Sequence, residues 1–331
     1  MIDVHTHVVP LELPFSRPGR SDWPWVEADG DQAVVHVGGQ PFRTVTRSAW
    51  DPERRREEMA ATGVRRQVLS PMPELFCYWA EPADGDRYCR DMNEWLADQV
   101  SEEFDAFGIL PMQDPDRAAA ALAQVKALGL RGVEIGSNVN GELLHTGRYD
   151  QLLAEAARLD LAVFIHPFHP HGFETITGGP AASGVTFPNE VGFALGALIA
   201  EGVLVDHPTL RLFASHGGGS LGLLLPRLDR MWAMDPAFRQ RLPEAPSAYA
   251  TRIYVDLLVF APAALAYVLS IVGDRQVVVG SDYPFMPDPP GAVLDQLPGL
   301  DDGQRERIRE GNAMRLLSHV GEHVGSSPSH Q

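Results

Sequence analysis

The 331-residue sequence is almost without lysine: Lys126 is the only one, so nearly all basic charge is carried by arginine. Positive charge is scarce overall. With 44 Asp and Glu against 27 Lys and Arg, the formal charge is −17. That balance disfavours nucleic acid as a partner, because phosphate backbones are bound by basic surfaces. It bears on solubility more than on substrate. Cysteine is nearly absent: Cys77 and Cys89 are too few for a disulfide framework and are expected to be reduced. Long apolar runs are missing too. A membrane helix needs about 20 apolar residues, whereas the best candidate, "VGFALGALIAEGVLV", is broken by Gly192, Gly196, Glu201 and Gly202. No basic stretch followed by an apolar one opens the chain. These absences predict no membrane, no nucleic acid and a cytoplasmic location. No repeat of fixed period is visible.

What is present is an alternation. Eight short apolar runs recur: "IDVH", "RRQVLSP", "DAFGILPM", "RGVEIGS", "LAVFIHP", "LRLFASH", "RIYVDLLV" and "RQVVVGSD". Each has strand length, and most are rich in Val, Ile, Leu or Phe, as strands buried on both faces should be. Most are separated by helical patterns such as "DPDRAAAALAQVKALG" and "RYDQLLAEAARLD". The first of these opens on Asp114 and Pro115, a cap followed by a first-turn proline, and closes at Gly129. Eight strands alternating with helices predict an α/β fold, a (β/α)8 TIM-like barrel. A doubly wound open sheet is the alternative, which periodicity alone does not exclude. The stretch from about 11 to 50 is too long for an ordinary connection. Its "AVVHVGG" and "FRTVTR" read as a small β-hairpin inserted after the first strand. One domain over 1–320 and a fraying polar tail over 321–331 complete the expected organisation.

In a parallel barrel, chemistry sits at the carboxyl ends of the strands. His5 and His7 end the first run, His166 the fifth, His216 the sixth and Asp282 the eighth. His5 and His7 are two apart, so on a strand they point to one face and can hold one ion between them. Imidazole nitrogens with one carboxylate suit Zn²⁺, Mn²⁺ or Fe²⁺. The set His5, His7, His166 and Asp282 leaves room for water, whose pKa such an ion lowers, and His216 is then a general base or acid. Any one of these residues alone would be an ordinary core or surface side chain; the pattern across four runs is what points to a site. His36, His145, His207, His319, His323 and His330 are read as hairpin, loop or tail residues. Two-metal sites on this architecture often use a carboxylated lysine as a bridge. The fourth run ends "VEIGSNVN" without one, so one divalent metal ion is expected, zinc first and manganese next.

At these residues the chain resembles the amidohydrolase superfamily, in its aminocarboxymuconate semialdehyde decarboxylase branch. The resemblance runs from "IDVHTH" to "GNAMRLL" through "FRTVTRSAWDPERRREEM", "CYWAEPAD", "LPMQDP", "IHP", "SHGGGS" and "GSDYPF". It implies that His5, His7, His166 and Asp282 are metal ligands and that His216, with Asp282, is catalytic. It also implies that Arg43 binds a substrate carboxylate and that Arg227 does so in a neighbouring subunit's site, making a homodimer. A physical argument agrees on the last point. If a helix starts after Gly219, Arg227 lies about 8 residues along it, about 12 Å from its start, far from its own site. The sequence departs from the branch after the fifth strand, where "HPFHPHGFETITGG" has Phe168 and His169 in place of Trp and Asp, with His171 nearby. Phe168 and His169 are expected to contact a substrate that need not be the family's type substrate.

The expected activity is non-oxidative decarboxylation of an unsaturated or aromatic carboxylic acid, a small molecule. The alternative is a hydrolase or hydratase acting on an ester, lactone, amide or activated double bond with the same site. A non-catalytic metal-binding protein would have no use for His216 or the two arginines.

Overall fold

The computed structural model describes residues 1–16, 23–144, 146–176 and 179–318. All eight apolar runs become strands of one sheet: β1 Ile2–Val8, β2 Arg66–Pro71, β3 Phe104–Gly108, β4 Gly132–Gly136, β5 Ala162–His166, β6 Arg211–Ala214, β7 Tyr254–Asp256 and β8 Val277–Val278. They lie side by side in chain order, and every ladder between them is parallel. The two edges meet: the Val4 N–H donates to the Val279 carbonyl at 2.9 Å, and Asp3 and Thr6 bridge Val279 and Tyr283. This is the (β/α)8 barrel, and it excludes the open sheet.

The strands are buried on both faces. β3, β4 and β5 have no exposed residue, because side chains of one face fill the barrel and those of the other meet the helices. Phe107, Phe164 and Phe213 belong to the interior cluster with Ile2 and Val4. Outside, the helix Pro115–Ala127 is capped as its sequence predicts. The Asp114 carboxylate accepts from the Arg117 N–H at 3.1 Å, and Gly129 turns the chain at φ 77°.

The insertion holds one strand more than a hairpin. Trp25–Asp29, Gln32–Val37 and Gln40–Thr46 form a three-stranded antiparallel sheet. The extra strand pairs across Gly30, at φ 60°, with Ala28 opposite Ala33, and Trp25 stacks on His36 at 3.8 Å. The two-residue loop is Gly30-Asp31, between the paired Asp29 and Gln32, and a glycine opening such a loop is a hairpin signal that "VEADGDQ" carries. The tail expected over 321–331 lies outside the described residues, as do His145, His319, His323 and His330.

β1 is held from beneath by a buried arginine that the sequence does not advertise. Arg55, on the helix Pro52–Thr62, is 2 % exposed. It donates to the Ser48 carbonyl at 2.9 Å, to Gln67 Oε1 at 2.9 Å, to Thr6 Oγ1 at 3.3 Å and to the His7 carbonyl. Its guanidinium lies over the Tyr283 ring at 4.7 Å, and burial pushes its pKa down to about 10. Arg55→Met should destabilise the fold by about 2–4 kcal/mol, because it strips partners from several buried acceptors at once. Urea denaturation measures this, and a midpoint unchanged from wild type would make the guanidinium dispensable.

Candidate metal centre and active-site cleft

His5 and His7 point into the barrel from β1. The register of β1 on β2 shifts between Asp3 and Thr6, an irregularity of the kind that re-aims side chains beside sites. Their Nε2 atoms are 3.2 Å apart, and Asp282 Oδ1 lies 3.1 Å from His7 Nε2 and 3.8 Å from His5 Nε2. His166, the last residue of β5, completes a group in which one ligand atom from each of His5, His7, His166 and Asp282 lies within 4.8 Å of the others.

Whether these donors suit a cation depends on their protons. His5 Nδ1 is 2.8 Å from Asp256 Oδ2, and His166 Nδ1 is 2.8 Å from the Pro167 carbonyl. Each acceptor fixes the proton on Nδ1 and leaves Nε2 with a free lone pair. His166 Nε2 is buried with no hydrogen-bond partner. An unpartnered buried acceptor, two fixed tautomers and one carboxylate fit a single divalent cation. Burial lowers the His166 pKa far below the ordinary imidazole value, with His7 and His5 adding to it. Burial alone would raise the Asp282 pKa, but the His7 hydrogen bond and the imidazole charges bring it below the usual carboxylate range.

His216 and Asp282 stand slightly beyond the strands that sequence reading assigned them to end. β6 stops at Ala214 and β8 at Val278. Both residues occupy the turns that follow, at φ 55° and 58°, a left-handed conformation uncommon outside glycine. The neighbouring glycines explain how those turns fit. A Cβ at Gly280 would lie 2.7 Å from Asp256 Cβ and 2.8 Å from His5 Cβ, and one at Gly219 would lie 1.9 Å from the Pro188 carbonyl oxygen.

The His216 ring centroid is 5.8 Å from that of His5 and 5.6 Å from that of His166. Its Nδ1 has no hydrogen-bond partner. Burial, reinforced by His5 and His7 and opposed by Asp256 and Asp282, lowers its pKa to about 4, so the ring is neutral near pH 7. Asp256 organises the whole corner: besides His5 it accepts the backbone N–H groups of His216 at 3.0 Å, Gly217 at 2.8 Å and Leu258 at 3.0 Å. Sequence reading passed over Asp256, although it ends the seventh strand at the same rim. It also passed over Glu134, a fully buried carboxyl on β4 whose Oε1 lies 3.9 Å from His7 Nδ1. Burial raises the Glu134 pKa far above its ordinary value.

A cleft of about 800 Å³ opens on this corner, with His216, Asp282, Arg43, Glu74, Phe285 and Phe187 in its wall. Arg43 comes from the inserted sheet and sits over the Phe285 ring at 4.4 Å; Phe285 in turn stacks on His7 at 5.5 Å. The structure thus brings Arg43 to the same cleft as His216 and Asp282. It does not bring Phe168 and His169 into that wall. Phe168 is 7 % exposed and packs against Phe76 and Tyr78, while His169 stacks on it at 4.2 Å. His171 pairs with Glu190 at 3.2 Å and lines a separate groove. Arg227 lies on the helix Leu221–Met234, away from the cleft wall, exposed and without an ion pair or hydrogen bond among the described residues. Of the remaining histidines, His36 pairs with Glu27 at 3.2 Å and His207 with Asp150 at 2.9 Å.

The amidohydrolase family is matched over residues 2–318. The chain is 32% identical over 326 residues to 2-amino-3-carboxymuconate-6-semialdehyde decarboxylase of Dictyostelium discoideum, covering 96% of this chain and 91% of that one. Among solved structures it resembles 5-carboxyvanillate decarboxylase from Sphingomonas paucimobilis, with a TM-score of 0.74, 25% identity, and 81% and 84% of the two chains covered. It also resembles the dihydroxybenzoic acid decarboxylase from Polaromonas sp. JS666, solved with bound manganese and the inhibitor 2-nitroresorcinol, with a TM-score of 0.70, 22% identity, and 82% and 87% covered.

Proposed function

The chain belongs to the amidohydrolase family, and from that premise we propose that it is a metal-dependent carboxy-lyase, releasing CO₂ without oxidation from an unsaturated or aromatic carboxylic acid. The observation that carries this is the cleft itself: an arginine without an ion pair, a neutral histidine and Asp282, the carboxylate of the four-donor cluster, share one wall. Similarity along nearly the whole chain to a decarboxylase supports it.

A cation held by His5, His7, His166 and Asp282 would supply Lewis-acid stabilisation of negative charge developing on oxygen. The chain's own residues do the rest. Arg43 offers a planar pair of donors to the substrate carboxylate. His216, neutral near pH 7, takes up a proton from solvent on its ring and delivers it to the carbon that loses CO₂, so that a C–H bond replaces the C–C bond as CO₂ leaves. Asp256 keeps the His5 ring and the His216 backbone in register. Phe285, Phe187 and Phe42 give the cleft apolar walls that suit a flat conjugated acid and keep water out. Zinc is the first choice for the ion and manganese the second, on the three-imidazole, one-carboxylate set. Elemental analysis of protein purified without added metal tests that order.

The activity is tested by offering aromatic and unsaturated acids, esters and lactones in ¹⁸O-water. Stoichiometric CO₂ with an unlabelled carbon skeleton is expected. Label incorporated from water without CO₂ would replace this reading with hydrolysis or hydration.

A homodimer in which Arg227 reaches the neighbouring site belongs to the same proposal. Its support is an exposed stripe on one helix, where Leu223, Arg227, Met231 and Met234 follow helical spacing, with Leu223 73 % exposed and Met234 62 %. Arg227→Ala should lower kcat/KM while leaving the fold intact. Mixing it with His216→Ala should then restore part of the activity, since one mixed site has both residues. No recovery on mixing would place Arg227 outside any active site. A cytoplasmic location fits the two free, buried cysteines. Among the described residues no helix is long and apolar enough to cross a membrane.

A further inference from the structure

Glu74 sits in the short turn Pro73–Leu75 that directly follows β2. That places it at the carboxyl rim of the barrel, where β1, β5, β6 and β8 deliver the metal donors and His216. The turn is rigidly seated, because Met72, Leu75 and Phe76 around it are at most 1 % exposed. The Glu74 side chain is in the wall of the same cleft as Arg43, His216 and Asp282. No other described residue hydrogen-bonds or ion-pairs with its carboxylate; its own backbone N–H is the one donor it has. Arg43 shares the cleft yet does not neutralise it: the guanidinium rests over Phe285 instead, beyond ion-pair distance of Glu74. The cleft therefore presents two separate, unpaired charges of opposite sign, one from the inserted sheet and one from the barrel rim. Burial raises the Glu74 pKa, with Arg43 opposing the rise, which agrees with a group sheltered from water.

A half-buried carboxylate with no partner from another residue keeps acceptor capacity that a ligand's donor can fill. Resting on the decarboxylase reading, we propose that Glu74 selects the substrate: it accepts a hydrogen bond from a hydroxyl or amino substituent while Arg43 holds a carboxylate. The substrate class is then a hydroxy- or amino-substituted aromatic or conjugated acid. Acids with a second carboxylate at that position are rejected by like-charge repulsion. A site built to receive a donor discriminates strongly against the analogue lacking it, because the polar group is left unpaired.

The test is binding, measured by calorimetry on zinc-loaded protein. Benzoate, its hydroxy and amino isomers, and the benzenedicarboxylates are the probes. Wild type should bind its best hydroxy or amino isomer about ten- to hundredfold more tightly than benzoate, the range of a hydrogen bond to a charged group. Glu74→Leu should bring that ratio close to one with zinc content and melting temperature retained. Glu74→Gln, which keeps the shape and removes the charge, should bind the dicarboxylates several-fold more tightly than wild type, and it serves alone if the leucine variant does not fold. An unchanged substituent preference in Glu74→Leu, or unchanged dicarboxylate affinity in Glu74→Gln, overturns the assignment. CO₂ release is measured separately on the compounds that bind. Its absence counts against decarboxylation, whereas an unchanged preference counts against Glu74.

Discussion

Replacing His216 with alanine should lower turnover by about 10²–10⁴-fold, the range set by loss of a positioned proton-transfer group, with metal content unchanged. The two halves of this result have separate causes. His216 is not one of the four clustered donors, so its removal leaves the cation's ligands in place. The ring is in the cleft wall beside Asp282, and the other three imidazoles of the corner are not: His5 and His166 have their Nδ1 protons committed to Asp256 and Pro167, and His7 Nδ1 is buried 3.9 Å from Glu134. The turn should survive, because Asp256 holds it through the backbone N–H groups of residues 216 and 217 rather than through the ring. Steady-state kinetics with metal analysis checks the result. Turnover within a few-fold of wild type at full metal content would remove His216 from the chemistry.

Withdrawing the divalent ion should abolish turnover and also loosen the fold. The second effect follows from linkage: a ligand that binds only the native state adds about 4 kcal/mol at a thousandfold excess over its Kd. In this chain the donors come from β1, β5 and the turn after β8, so a bound ion ties the first strand of the barrel to the last and to a third between them. Chelation should lower the melting temperature, and zinc or manganese should restore both stability and activity. Asp282→Asn should reproduce the chelated state even with metal present, because it removes the only carboxylate of the set. A chelated protein, shown to be metal-free, that keeps wild-type melting and turnover would refute the metal centre as a working part of this protein.

The parts of this fold and site that were legible in the sequence share one property: they depend on local order. The eight strands could be read because a strand buried on both faces must be apolar almost throughout, as in "LAVFIH". The helix from Pro115 could be read because Asp114 and Gly129 mark its ends by their own backbone chemistry. His5 and His7 could be read as a pair because a strand repeats every two residues. The inserted sheet was underestimated by one strand because Trp25–Asp29 is only partly buried and lacks a continuous apolar run. Phe168 and His169 are expected at the substrate because they replace the Trp and Asp that the resemblance puts after the His-Pro of the fifth strand. In three dimensions Phe168 turns into an aromatic cluster with Phe76 and Tyr78, a neighbourhood no sequence spacing announces.

The sequence by itself determined the barrel and picked out the four side chains that the structure brings within 4.8 Å of one another, since each follows from periodicity or from a residue's position at the end of a run. Only the tertiary structure decided which charges go unpaired. Arg43 and Glu74 lie 31 positions apart on unrelated elements, and Asp256 reaches His5 across 251 positions. Whether a buried charge is satisfied depends on every atom around it, and that environment exists only once the β8–β1 closure has formed.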